Sequence, residues 1–165
     1  ALGNWTTATP SGRARGIAIG TAFNSIVAEV VEISSATSSS LKVNRVSVAI
    51  DCYLAVNPGQ VEAQLTGGVV HGLNATLYGK QNFVGGVAQG KNFNSNRMIR
   101  LNEMPDVKVT LIPNPSAADR TKALGGVGEL GVPTFAPALA NAYFKLTGKR
   151  LRTLPLFPSA TMGGL

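Results

Sequence analysis

Cysteine and histidine each occur once in the 165 residues, and this scarcity removes whole classes of chemistry. A lone Cys52 can close no internal disulfide, and no cysteine cluster exists to hold zinc or an iron–sulfur centre. With His71 the only imidazole, no Ser-His-Asp, Cys-His or two-histidine metal arrangement is available. His71 reads as a packed or surface residue and Cys52, at the end of an apolar strand, as a small core residue. Aromatic residues make up 6% of the chain, too few for a base-stacking platform. Acidic side chains number 8 against 15 basic ones, for a formal charge of +7, which raises a polyanion as partner. The cations are nevertheless scattered from Arg13 to Arg152. Their densest group, Lys145, Lys149, Arg150 and Arg152, falls at a helix end where positive charge suits the dipole. A solvated basic surface is therefore preferred to a nucleic-acid site. No apolar run reaches the ~18 residues of a membrane span, and no charged-then-apolar leader opens the chain. It starts at Ala1 rather than methionine, which fits a processed product or a piece of something longer.

Hydrophobic residues, by contrast, reach 44%, enough to bury the core of one domain. After a loose start over residues 1–12, the runs 16–23, 26–33 and 41–50 read as three strands of an antiparallel sheet, separated by Asn24-Ser25 and a serine-rich turn. Asn57-Pro58-Gly59 opens a helix with Val61, Leu65, Val69, Leu73 and Leu77 in one stripe. Gln64, Gly68 and His71 share its neighbouring face. On spacing alone, the glycines here are read first as a means of tight packing. A strand and glycine turn follow over 81–89, then a polar stretch to Glu103 and a strand over 107–112. A last helix starts near Pro133 or Pro137 and stops at Gly148. The fold class expected is α+β, a mixed, partly antiparallel sheet covered by two main helices.

The segment from Ala123 to Pro133 sets a single carboxylate, Glu129, among Gly125, Gly126, Gly128 and Gly131 ahead of that last helix. Glycine permits close approach of a ligand, and helix amides favour anionic groups, so the placement reads as a site. Gly126 to Gly131 also satisfies G-x-G-x-x-G. The dinucleotide reading fails because no strand runs into the first glycine and Lys149, Arg150 and Arg152 occupy the region where a ribose-binding acid belongs. As a general base, Glu129 requires burial or a neighbouring negative charge to raise its proton affinity.

Four stretches in order resemble the molybdopterin-binding large subunit of the xanthine dehydrogenase and aldehyde oxidase family, in its C-terminal part. They are Ala49-Ile50-Asp51-Cys52 with Val56-Asn57-Pro58; the run from Val61 to Leu73; Glu103-Met104-Pro105-Asp106-Val107; and Gly126-Val127-Gly128-Glu129 with the helix after it and Thr147-Gly148-Lys149-Arg150. The resemblance implies that Glu129 is the catalytic base of a molybdenum hydroxylase acting on an N-heterocycle or an aldehyde with oxygen derived from water. It implies that Gln64 and the backbone of Gly126, Val127 and Gly128 contact a molybdenum–pterin cofactor in its cytosine dinucleotide form, with no protein metal ligand. The implied partners are the rest of the large subunit and a small subunit with two 2Fe–2S clusters, with no nucleic acid; the compartment stays open between bacterial cytoplasm and periplasm. Leu130 stands where relatives commonly have proline, and Tyr53 where glycine is frequent. The family's upstream glycine-rich motif and arginine-bearing segments have no counterpart here, so the piece alone is not expected to retain cofactor. A non-catalytic basic domain binding an anion or nucleic acid is the alternative.

Overall fold

The computed structural model describes residues 5–34, 40–90, 92, 97–119, 121–156 and 161–162. The serine-rich turn at 35–39 and residues 1–4, 91, 93–96, 120, 157–160 and 163–165 fall outside that set. Three long strands, β1 (Arg13–Ala22), β2 (Ser25–Ser34) and β3 (Ser40–Asp51), form an antiparallel meander. After helix α1 (Pro58–Leu77) and a two-stranded hairpin, β4 (Phe83–Val84) with β5 (Val87–Ala88), the chain returns as β6 (Asp106–Leu111) parallel to β3. Helix α2 (Phe135–Thr147) then lies over β1 and β2. The order β1-β2-β3-β6 is thus a mixed sheet with two main helices, the expected α+β class.

Local sequence accounts for each element. Alternating Val27, Val31 and Ile33 on β2 and Val46, Val48 and Ile50 on β3 are buried on one face. Register places Ala14, Gly16, Ala18, Gly20 and Ala22 of β1 on that same face. This row of small side chains is why α2 can approach so closely. A Cβ on Gly16 would stand 2.2 Å from both the Ala138 carbonyl oxygen and the Ala142 nitrogen. Helix α1 begins where the Asn57 side chain accepts from the Gln60 amide at 3.2 Å, with Pro58 in the first turn, a cap worth about 1 kcal/mol. Its buried stripe, Val61, Leu65, Val69, Leu73 and Leu77, gains ~1.5–3 kcal/mol per large side chain removed from water. Helix α2 ends at Gly148 in the left-handed conformation, φ 73°.

Two boundaries bear on the site. The first strand ends at Ala22, one residue short of Phe23, because Phe23 and Asn24 both take positive φ (51° and 59°) and make a tight hairpin turn. The last helix starts at Phe135, between the two prolines expected to open it, and Glu129 lies a turn ahead of it.

Candidate functional site

The glycine-rich segment is held at both ends, and Glu129 sits between the two holds. At the upstream end, the Gly125 amide donates to the Cys52 carbonyl at 3.1 Å and the Gly126 amide to the Phe23 carbonyl at 2.8 Å. The Ser25 hydroxyl donates to the Gly126 carbonyl at 2.8 Å. No side chain fits there: a Cβ on Gly125 would meet Ser25 Oγ at 2.1 Å, and one on Gly126 would meet Phe23 Cβ at 2.8 Å. At the downstream end Gly131 presses on helix α1. Its Cβ would lie 2.7 Å from the Leu65 carbonyl oxygen, and a Cβ on Gly68 would lie 3.0 Å from the Gly131 Cα. Gly72 is matched in the same way to the Val132 carbonyl, at 2.9 Å. A turn closed by Val132 donating to the Glu129 carbonyl at 3.0 Å joins the segment to α2.

The glycines of α1 therefore divide their work. Gly68 and Gly72 permit tight packing, as spacing alone suggests, but against the Glu129 segment. Gly67 and Gly128 have nothing within 4 Å of a built Cβ and border open space. That space is a cleft of about 630 Å³. Gln64 and His71 reach it from α1, Glu129 and Leu130 from the glycine segment, and Phe23 from the β1–β2 turn. Gln64, His71 and Glu129, all exposed, are its polar side chains, and the remaining lining is largely apolar.

Of the residues the sequence singled out, Gln64, Gly128 and Glu129 come together in this cleft, and His71 joins them there. Gly126 does not line it; both its backbone groups are bound to the hairpin turn. Val127, half-buried, packs against the core edge. Cys52 is a buried core residue whose thiol burial pushes up, against reactivity. Leu130, in place of the family's common proline, puts its side chain into the core. Tyr53 has φ 69°, the left-handed region where glycine is at ease; its amide donates to Asp51 Oδ1 at 2.9 Å and its hydroxyl to the Asp119 carbonyl at 2.5 Å. No strand leads into Gly126, which agrees with setting the dinucleotide reading aside. The residue that sequence reasoning missed is Phe23, assigned to a strand but exposed on the cleft wall.

Glu29 also emerges only from the structure. It is fully buried beneath α2, and neither carboxyl oxygen has a hydrogen-bond partner among the described residues. Burial pushes its pKa up to about 8, which the nearby Thr134 side chain offsets only in part. Glu29 does not line the cleft. No group of three or more acidic, histidine or cysteine side chains suited to a metal occurs among the described residues.

Comparison with known proteins gives the same direction. A family profile described as "Molybdopterin cofactor-binding domain" matches residues 2–105, which includes Gln64 and ends before Glu129. Isoquinoline 1-oxidoreductase subunit beta of Brevundimonas diminuta is 34% identical over 149 residues, covering 87% of this chain and 18% of that protein. The membrane-bound aldehyde dehydrogenase (pyrroloquinoline-quinone) of Gluconacetobacter polyoxogenes is 28% identical over 121 residues, 73% of this chain and 15% of that protein. The aldehyde oxidoreductase of Desulfovibrio desulfuricans superposes with a TM-score of 0.68 over 81% of this chain and 15% of its own, at 19% identity. The chain thus spans less than a fifth of the length of these relatives. With the profile covering most of the chain and a relative above 30% identity along nearly all of it, this chain belongs to the molybdopterin cofactor-binding domain family.

Proposed function

We propose that the chain is the C-terminal cofactor-binding lobe of a molybdenum hydroxylase large subunit, oxidising an N-heterocycle of the isoquinoline kind or an aldehyde with oxygen derived from water. The observation that carries this reading is the convergence of Gln64 and Glu129, 65 positions apart in sequence, on one cleft floored by glycine. A pterin–metal group fits the donor set. Gly67 and Gly128 leave room where a side chain would project, and Gln64 supplies an amide able both to donate and to accept. Gln64 and the backbone of Val127 and Gly128 would hold such a group, with Gly126 fixing their course. When bound, it supplies the two-electron redox chemistry that no side chain here can.

The chain's own part is positioning and proton transfer. Glu129, on the lining of the cleft, is the base that accepts the proton released as the water-derived nucleophile forms, and a positioned carboxylate of this kind contributes ~10²–10⁴-fold. The remaining large subunit closes over the cleft and excludes water, and a separate subunit with two 2Fe–2S clusters carries the electrons away. The cofactor is taken to be the cytosine dinucleotide form.

The test is the purified full-length holoenzyme. It is expected to contain molybdenum and to release a pterin cytosine dinucleotide on denaturation, and to transfer ¹⁸O from labelled water to isoquinoline or to an aldehyde. A quinone in place of the pterin, or label arriving from O₂ instead, would overturn the reading. Gln64→Ala is expected to lower molybdenum occupancy several-fold while sparing the pH profile of the remaining activity. Full occupancy would remove Gln64 from the cofactor contacts.

A further inference from the structure

We infer that the β1–β2 turn is a working part of the site, with Ser25 a positioning residue for Glu129 and the Phe23 ring a wall that selects a planar aromatic substrate. The inference rests on the proposed role of Glu129. Three observations carry it. First, Gly126 spends both of its backbone groups on this turn, donating to the Phe23 carbonyl at 2.8 Å and accepting from the Ser25 hydroxyl at 2.8 Å. Ser25 is itself buried and lies 101 residues away in sequence, so the bond is a tertiary clamp three positions upstream of the carboxylate. Second, Phe23 pays twice for its place. A bulky residue at φ 51° is uncommon, and its ring is 61% exposed, so burial does not offset the strain. Third, that residue borders the same cleft as Glu129. An exposed phenyl ring on the wall of that cleft offers a face for offset stacking, which favours an aromatic molecule.

The clamp is read by amide exchange in this chain. Ser25→Ala removes a hydrogen bond of about 1 kcal/mol, so exchange at Gly126 and at Val132 is expected to quicken roughly five- to tenfold, with α1 amides unchanged. Wild-type exchange at Gly126 would overturn the clamp. In the holoenzyme, Ser25→Ala is expected to lower kcat with KM and molybdenum content little changed, and Ser25→Thr, which keeps the hydroxyl, to restore it; a KM effect without a kcat effect would contradict positioning. The wall is read with Phe23→Asn, since asparagine accepts the left-handed backbone. Gly126 exchange should stay near wild type, while KM for isoquinoline rises roughly two- to tenfold and KM for acetaldehyde does not. Equal changes for the two substrates, or no turnover of isoquinoline by the wild type, would overturn it. Should Glu129→Gln retain turnover, the base assignment falls while the exchange result stands. Should Ser25→Ala match wild type in exchange and kcat, the clamp falls while the base assignment stands.

Discussion

Two glutamates three positions apart on β2 show opposite behaviour because they face opposite sides of the sheet. Glu29 points into the layer between sheet and α2, without a hydrogen-bond partner among the described residues, and burial pushes its pKa up to about 8. Glu32 is also buried. On that face, however, Arg13 and Arg15 each donate to it at 2.8 Å, and these bonds outweigh burial and hold its carboxyl below the usual range. The same residue type on the same strand is thus proton-loving on one face and proton-shedding on the other. Partners, more than burial as such, decide the outcome. Glu129 is a third case: it lines an open cleft, so its chemistry depends on what closes over it.

The comparison can be broken or sharpened by substitution, and the largest effect belongs to Glu29. Its folded pKa is raised, so its contribution is present in full below the unfolded value of about 4.5 and is lost as pH rises through about 8. Glu29→Gln is expected to abolish that decline and to gain on the order of 3 kcal/mol at neutral pH, read by urea unfolding at pH 5, 7 and 8. A variant with the pH slope of wild type would place the charge elsewhere. Glu32 has the reverse sign. Its stabilisation is present above the unfolded pKa and is lost as pH falls through the depressed folded value. Glu32→Gln should cost about 1–2 kcal/mol at neutral pH, because the charge-assisted bonds from Arg13 and from buried Arg15 are replaced by bonds to a neutral amide; the loss should vanish in acid. The smallest effect is expected at the exposed Arg45–Asp106 pair, 3.0 Å apart with both side chains over 40% accessible. There Asp106→Asn should change stability by less than ~1 kcal/mol, and a change as large as that of Glu32→Gln would show that exposure fails to discriminate these pairs.

Much of this was legible in the sequence. The β-branched run placed a strand over 26–33, whereas the burial of Glu29 within it, without a partner among the described residues, emerged only in the structure. The four-residue stripe of α1 and the Asn-Pro-Gly start fixed that helix to within a residue. Glu129 and Gln64 stood out from glycine context and from resemblance. What spacing could not supply was tertiary. That Gly68 and Gly72 meet Gly131 and Val132, and that Gly126 is tied to a turn about 100 residues earlier, depends on long-range packing with no local periodic signal. Phe23 was hidden for a related reason. A β-prone side chain following an alternating run reads as strand, and only the hairpin geometry reveals its left-handed backbone.

The central claim is that the Glu129 carboxylate is the base of this cleft, and steady-state turnover of Glu129→Gln in the full-length holoenzyme tests it most directly. The account predicts kcat reduced by ~10²–10⁴-fold at unchanged molybdenum content; turnover at the wild-type rate in a fully loaded variant would contradict it.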